Sequence, residues 1–366
     1  MAALPRAAAL PSRLFPSARL NASRCRCIHS SPVKAAVAHP ATAHGPPPKA
    51  PAPSSEFKKH PTPPENPESA QPAAERANLT KPTTSGLRKR FWKDVHVQGM
   101  PEEYQVLLDK RPVRTPTKEV LSIPPTKPHL AHAIALEWDV MTTAQQAIKT
   151  HLIPLTSLSA RAADIVREDA EGLTTTREQI IKTAMRYLET DTLLCWEPER
   201  ETGPTHLLEK QETGEPIESL REIQMRVAKE IMGFLSTKVW PGLEIKPILD
   251  SESIMPVSQP RGTQDSIRTW ISELSPHDLA ALERGILASK SLLIAVRLLV
   301  EWSENFRAVQ RVERKFGIEE AAEASNLEVK WQTDMWGEVE DTHDVDWEDL
   351  KRQLGSVVVL VSGERR

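Results

Sequence analysis

The sequence predicts an α+β fold, with a small β-rich amino-terminal domain followed by an α-helical domain. Residues 90–124 alternate apolar and polar side chains in short runs that Gly, Pro and Asp interrupt, which is typical of strands joined by hairpins. Beyond Pro154 the apolar side chains recur with a helical period almost throughout. The first eighty or so of the 366 residues have too few large apolar side chains to build a core.

Residues 1–31 have the composition of a mitochondrial transit peptide. They contain five arginines, and the first acidic residue of the chain is Glu56. We predict cleavage between Ile28 and Ser31, and the alternative is a basic tail without structure. Cleavage would remove five positive charges and lower the formal net charge from −3 to −8.

Residues 32–86 are rich in proline, in tracts such as GPPPKAPAP. Proline lacks a backbone donor and favours extended conformers, and this segment offers little to bury. We predict a disordered linker.

Residues 87–155 are predicted to form the β-rich domain, with a small antiparallel sheet over 90–124. Leu130, Ile134 and Trp138 follow at helical spacing, so a helix over 127–141 is expected to lie across that sheet.

Residues 156–366 are predicted to form the helical domain. The helical pattern covers 156–169, 174–190, 216–238, 264–273, 276–302 with a break near Ser289, and 303–336. The terminal run 355–363, GSVVVLVSG, is β-branched and bounded by glycine, so it is predicted to be a strand.

Several classes of function are disfavoured by the sequence. An acidic mature chain lacks the basic footprint of a nucleic-acid binder. The most apolar segment, 286–300, contains Lys290 and Arg297 and is too short for membrane insertion. No phosphate-binding glycine loop, nucleophile elbow or H-E-x-x-H pair is present, and Cys195 lies in an apolar context typical of an inert thiol. We therefore predict no catalytic residue, no metal and no cofactor.

One enzymatic alternative rests on the acidic stretch 338–349. His343, Asp344 and Asp346, with Glu338, Glu340 and Asp341 upstream, could ligate a divalent ion in a metal-dependent hydrolase of the mitochondrial matrix. Clustered acids more often form a solvated surface, and Asp341 or Thr342 would cap a final helix over 344–353.

The helical pattern just before this stretch suggests a docking surface. On a helix continuous from Ala321 to Met335, Glu328 falls inside an apolar arc with Trp331 and Met335, next to Trp336. Aromatic anchors with one fixed charge are what a protein–protein contact needs. The competing interpretation is that Glu328 pairs internally with Arg311 or Arg314.

Seven separated motifs resemble those of the mitochondrial assembly chaperones that bind the alpha subunit of the F-type ATP synthase. In order they are RFWKDVHV (90–97), YQVLLDKRPVRTP (104–116), ALEWD (135–139), IPLT (153–156), ETDTLLCW (189–196), LERGILASKSLLIAVRLL (282–299) and WGEVEDTHD (336–344). Together they extend over most of residues 90–360.

The resemblance implies a non-enzymatic chaperone of the mitochondrial matrix, in which an orthogonal helical bundle follows the β-rich domain. Its partner would be the unassembled alpha subunit, protected from aggregation until the beta subunit replaces the chaperone. Glu328 falls where the family has a functionally required acid, and Trp138 at its EWD tryptophan. We therefore predict Glu328, Trp331, Met335 and Trp336 as partner-binding residues and Trp138 as a packing residue. A structural subunit of a mitochondrial complex is a third possibility.

Overall fold

The structure, a computed structural model, describes residues 89–198, 218–249, 255–310, 316–339 and 342–364. The chain divides into two compact units, Met1–Thr80 and Lys81–Arg366, and every described residue belongs to the second unit. The predicted transit peptide, 1–31, and linker, 32–86, lie outside the described residues. The predicted boundary between 155 and 156 stays a prediction.

The predicted sheet is present as three antiparallel strands in the order β1-β2-β3. They are β1 (Val95–Gly99), β2 (Tyr104–Leu108) and β3 (Arg111–Pro112). Val95 pairs with Leu108, and Gly99 pairs with Tyr104. An isolated bridge from Tyr104 to Ile123 brings the predicted run 120–123 back to the sheet.

Helix α1 (Pro128–Asp139) packs on β1 and β2, as predicted. Leu130 and Ile134 are fully buried. Trp138 is half-buried, and its ring meets the ring of buried Trp92 edge-on at 5.4 Å. Its Nε1 donates a hydrogen bond to Thr156 Oγ1 at 3.1 Å. Trp138 therefore connects α1 with the helix that begins at Pro154.

Nine further α-helices follow in the described residues. They are α2 (Pro154–Ala170), α3 (Thr175–Leu188), α4 (Leu220–Phe234), α5 (Arg261–Ser272), α6 (Pro276–Ser289), α7 (Leu292–Trp302), α8 (Ile318–Ser325), α9 (Leu327–Trp336) and α10 (His343–Val361). The α+β class is thereby confirmed. Within the described residues, no helix has the length and apolar character needed to cross a membrane.

The predicted break near Ser289 is confirmed and has a local cause. Lys290 ends α6 with a φ of 60°, a left-handed conformation that cannot continue the helix. The Ser291 side chain then accepts a hydrogen bond from Ile294 N and caps α7. Because α6 and α7 are largely buried, this turn places two apolar helices side by side in the core.

The predicted carboxy-terminal strand is wrong: residues 355–361 continue helix α10. Most of its buried side chains recur at helical spacing, namely Leu350, Leu354, Val357, Val358 and Val361, and Ser356 and Leu360 are buried beside them. They pack mainly against α6. The β-branched composition favoured a strand locally, and burial of this helical stripe outweighs that preference.

The single helix predicted over 303–336 is also wrong. The chain leaves helical geometry at Asn326 (φ −116°, ψ 23°), which separates α8 from α9. Ala321 and Ala324 are buried on α8, whereas no residue of α9 is buried. The apolar arc deduced from a continuous helix therefore combines residues of two separate helices.

A half-buried carboxylate holds the amino terminus of α2. Glu137 accepts hydrogen bonds from Leu155 N at 2.6 Å and from Thr156 N at 2.9 Å. These are backbone donors that the first turn of a helix leaves unpaired. Burial is the largest influence on Glu137 and raises its pKa, and the bonds from Thr156 and Leu155 oppose that shift.

Asp191 is a second carboxylate that accepts hydrogen bonds from backbone N–H groups. It connects the loop that follows α3 with the first turn of α7. Its two carboxylate oxygens accept from Leu193 N and Leu293 N, each at 3.0 Å. The side chain is fully buried, and burial raises its pKa to about 6. Leu193 and Leu293 lie 100 residues apart in the chain, so this one side chain fixes a long-range contact close to α9.

Candidate functional site

Helix α9 carries the four predicted partner-binding residues, and it is the least buried α-helix of the described structure. It is ten residues long and none of them is buried. Glu328 is exposed, and Trp336 exposes 74% of its surface. Trp331 and Met335 are half-buried. A helix so weakly anchored presents most of its surface to solvent or to a partner.

Glu328 is held by its own helix. Its Oε1 accepts a hydrogen bond from Gln332 Nε2, one turn later, at 3.2 Å. Arg311 and Arg314, the internal partners considered above, lie outside the described residues. The structure therefore presents the Glu328 carboxylate at the surface, not buried within an apolar face.

Two tryptophans form the carboxy-terminal part of this surface. The rings of Trp331 and Trp336 meet edge-on at 5.9 Å, with an interplanar angle of 89°. Trp331 Nε1 is buried and has no hydrogen-bond partner in the described residues. Gly337 ends the helix with a φ of 91°, in the region that favours glycine, and its N–H donates to Thr333 O. The turn leaves the Trp336 ring projecting beside Trp331.

A groove of about 400 Å³ separates α9 from α4. Ile223, Val227 and Ile231 line one wall at successive turns of α4, and Leu327 and Trp331 line the other. Phe316 and Ala324 also line the groove, together with charged side chains of both signs: Arg226, Glu230, Arg297, Glu320, Glu323, Lys330 and Asp334. Arg297 is buried, so charge is present in the floor of the groove as well as at its rim. Apolar and charged side chains together are the usual composition of a protein-recognition surface.

A second cavity, of about 200 Å³, lies on the other side of α9 beside Glu328. Leu193, Cys195 and Val329 are among its lining residues. Burial and the neighbouring Asp191 charge raise the pKa of the Cys195 thiol, so the reactive thiolate is disfavoured. Helix α9 thus lies between two recesses.

The acidic stretch is divided between a loop and the start of α10. His343 Nδ1 accepts a hydrogen bond from Val339 N at 3.1 Å. Asp344 and Asp346 lie in the first turn of α10, where the helix dipole favours acids. Thr342 occupies the N-cap position, but its side chain makes no capping bond, and Asp341 lies outside the described residues.

The hypothetical metal site is therefore only partly described. Glu340 and Asp341 are outside the described residues, and among those that are described no three His, Cys, Asp or Glu side chains are grouped to hold a metal ion.

Sequence reasoning missed two kinds of residue near this site. Ile223, Val227 and Ile231 were part of a predicted helix, but nothing local indicated that their side chains would face α9. Glu137 lies in the ALEWD motif and Asp191 in the ETDTLLCW motif, and neither was predicted to have a structural role. The available signal at Asp191 was an acid just before the apolar run of Leu193 and Leu194, where a buried carboxylate needs hydrogen-bond donors.

Comparison with known proteins agrees with this architecture. Residues 89–236 match the family model described as the ATP12 chaperone protein. The protein atp12, mitochondrial, of Schizosaccharomyces pombe is 30% identical over 272 residues, which cover 74% of this chain and 81% of the relative. The chain belongs to the ATP12 chaperone family. The Saccharomyces cerevisiae ATP12 protein, also named mitochondrial, is 30% identical over 301 residues, covering 77% of this chain and 87% of the relative.

Solved structures show the same fold. Atp12 from Paracoccus denitrificans superposes with a TM-score of 0.50 at 21% identity, over 74% of this ATP12-family chain and 98% of the other. The Atu1473 protein of Agrobacterium tumefaciens superposes with a TM-score of 0.53 at 20% identity, over 75% and 85% of the two chains. The resemblance stated from the motifs is confirmed at the level of family and fold.

Proposed function

We propose that this chain is a matrix chaperone for assembly of the mitochondrial F-type ATP synthase. It binds the unassembled alpha subunit through α9 and prevents its aggregation until the beta subunit replaces it. The single observation that carries this proposal is the exposed helix α9 of an ATP12-family chaperone, on which Glu328 and Trp336 stand free of the core.

The composition of α9 suits a reversible protein contact. Trp336 supplies a large exposed aromatic surface, and aromatic side chains dominate the binding energy of protein interfaces. Glu328 adds one fixed charge at the other end of the helix, which would set the register of the partner. Because none of the ten α9 residues is buried, the helix can contact a client without disturbing the core.

The physical basis of such a chaperone is competition for one surface. A subunit that will later be covered by its neighbour exposes apolar area, and exposed area of that kind promotes self-association. A binder that covers it lowers the concentration of aggregating species by mass action. It is displaced when the true neighbour binds over a larger or better-matched area.

Two independent observations support the proposed mitochondrial location. Both yeast relatives are named mitochondrial proteins. Residues 1–31 of this chain have five arginines and no acid, as a matrix-directing transit peptide requires.

We expect Glu328→Lys to abolish protection of the alpha subunit without changing the stability of the chaperone. Glu328 is exposed and bonded only to Gln332 within the described residues, so its replacement breaks no core contact. Reversal of a charge in an interface places like charges together and costs several kcal/mol. The measurement is light scattering of alpha subunit diluted from denaturant, with the wild type or the variant at equal concentration.

Glu171→Lys is the matched control, because Glu171 is also an exposed acid and stands at the end of α2, outside both α9 cavities. It should protect the alpha subunit as well as the wild type does. Equal protection by Glu328→Lys and Glu171→Lys would show that α9 is not the docking surface.

A further inference from the structure

A small cleft lies where α6 and α10 meet the residues that lead into α2. Its volume is about 100 Å³, and its lining includes His151, Arg284, Asp349 and Arg352. It shares no lining residue with either cavity beside α9. The cleft is therefore separate from the proposed docking surface on α9.

Arg284 is the notable side chain of this cleft. It is half-buried on α6, yet within the described residues its guanidinium forms no hydrogen bond and no ion pair. The preceding residue, Glu283, shows the contrast, since Arg161 holds it through two hydrogen bonds of 3.0 Å. A guanidinium has five donors in a planar fork that matches a carboxylate or phosphate group.

The carboxylate in the cleft is already occupied by other donors. Asp349 accepts one hydrogen bond from Arg352 Nη2 and a second from Gln353 Nε2 at 2.6 Å. Arg352 Nη1 also donates to the backbone oxygen of His151 at 2.7 Å. Asp349 is thus paired with Arg352, and within the described residues the Arg284 guanidinium is a positive charge of this cleft without a paired carboxylate.

The space beyond Arg284 is open to a larger ligand. The Arg284 side chain also lines a wider recess of about 400 Å³, whose walls include Leu158, Leu287 and Arg161 together with the acids Asp164 and Glu283. The small cleft has room for one compact anionic group, while the rest of a ligand would extend into the recess.

We propose that Arg284 binds an oxyanion, a carboxylate or phosphate group, in the cleft between α6 and α10. The guanidinium fork donates to two oxygens of the ligand. Arg352, fixed by Asp349 and the His151 carbonyl, contributes positive charge and not a hydrogen bond. Free phosphate and the carboxylate of a protein side chain or metabolite are the two sources of this chemistry.

The test is a titration of the full chain, labelled with ¹⁵N, with sodium phosphate or sodium acetate at constant ionic strength and pH. The Arg284 Nε–Hε signal is identified by its loss in Arg284→Gln, and backbone amides of the cleft report binding in every variant. We expect a saturable shift of these signals with at least one of the two anions. A response to acetate alone assigns the carboxylate, a response to phosphate alone assigns the phosphate, and a response to both assigns the shared chemistry.

Matched variants separate a site from general anion association. Arg284→Gln removes a side chain without a partner in the described residues, so it should fold normally and bind about tenfold more weakly or not at all. Arg268→Gln removes an exposed arginine of α5 that is likewise unpaired within the described residues, and it should bind as the wild type does. Asp349→Asn removes the competing negative charge and should bind about threefold more tightly.

The proposal is overturned if neither anion gives a saturable shift of the cleft signals. It is equally overturned if Arg284→Gln and Arg268→Gln bind with the same affinity.

Discussion

Replacement of Trp138 by arginine is expected to destabilise the fold by about 3 kcal/mol or more and to leave little soluble protein. The substitution removes the ring that packs on Trp92 and the hydrogen bond to Thr156 Oγ1. It also places a positive charge near Arg90, which donates to the backbone oxygen of Asp139. The measurement is the soluble yield and the midpoint of thermal unfolding.

Trp336→Arg is the control for this prediction, because it makes the same chemical change at a tryptophan that is 74% exposed. Its soluble yield and unfolding midpoint should match those of the wild type. If Trp138→Arg were equally soluble and melted cooperatively at the wild-type temperature, Trp138 would not be the packing residue described above.

The second large effect is expected at the buried ion pair of α7. Arg297 donates to Glu301 at 2.6 Å, and the two side chains are 5% and 0% exposed. The Arg297 guanidinium also lies 3.8 Å from the ring centroid of Phe234 and 4.8 Å from that of Phe316. Glu301→Leu would remove the buried carboxylate to which Arg297 donates, at a cost of about 3 to 5 kcal/mol.

Denaturant unfolding of a double-mutant cycle tests this expectation. Arg297→Met combined with Glu301→Leu removes both charges, and the double variant should recover most of the stability lost in Glu301→Leu. Additive losses in the double variant would show that the pair contributes through shape and packing, not through its charges.

The elements that could be predicted from sequence are those whose own pattern decides their structure. Val95, Val97, Val106 and Leu108 alternate across a sheet, and that alternation was sufficient to place the strands. Ser275 before Pro276 marked the start of α6, where Ser275 accepts from Asp278 N.

Two elements were predicted wrongly, the carboxy-terminal strand and the single helix over 303–336. In both, tertiary packing and not local sequence decided the secondary structure. The run at 355–361 is β-branched, and its burial against α6 and the neighbouring helices α2, α7 and α8 makes a helix the better solution there. Asn326 is not a strong helix breaker, so nothing local showed that α8 would end before Leu327.

The geometry around the four predicted partner-binding residues was not predicted, and their role in binding stays a prediction. Glu328, Trp331, Met335 and Trp336 do lie on one short helix, and the structure exposes Glu328 and Trp336. The groove beside them needs the wall provided by α4, about one hundred residues earlier in the chain. A contact between segments so far apart leaves no periodic signal in either of them.

We propose that α9 of this ATP12-family chain binds the alpha subunit and not the beta subunit. The most direct measurement is size-exclusion chromatography with light scattering of the chaperone mixed separately with refolded alpha and beta subunits of ATP synthase. We expect a discrete complex with the alpha subunit alone, which Glu171→Lys retains and Glu328→Lys loses. No complex with alpha, or one that Glu328→Lys leaves unchanged, would contradict it.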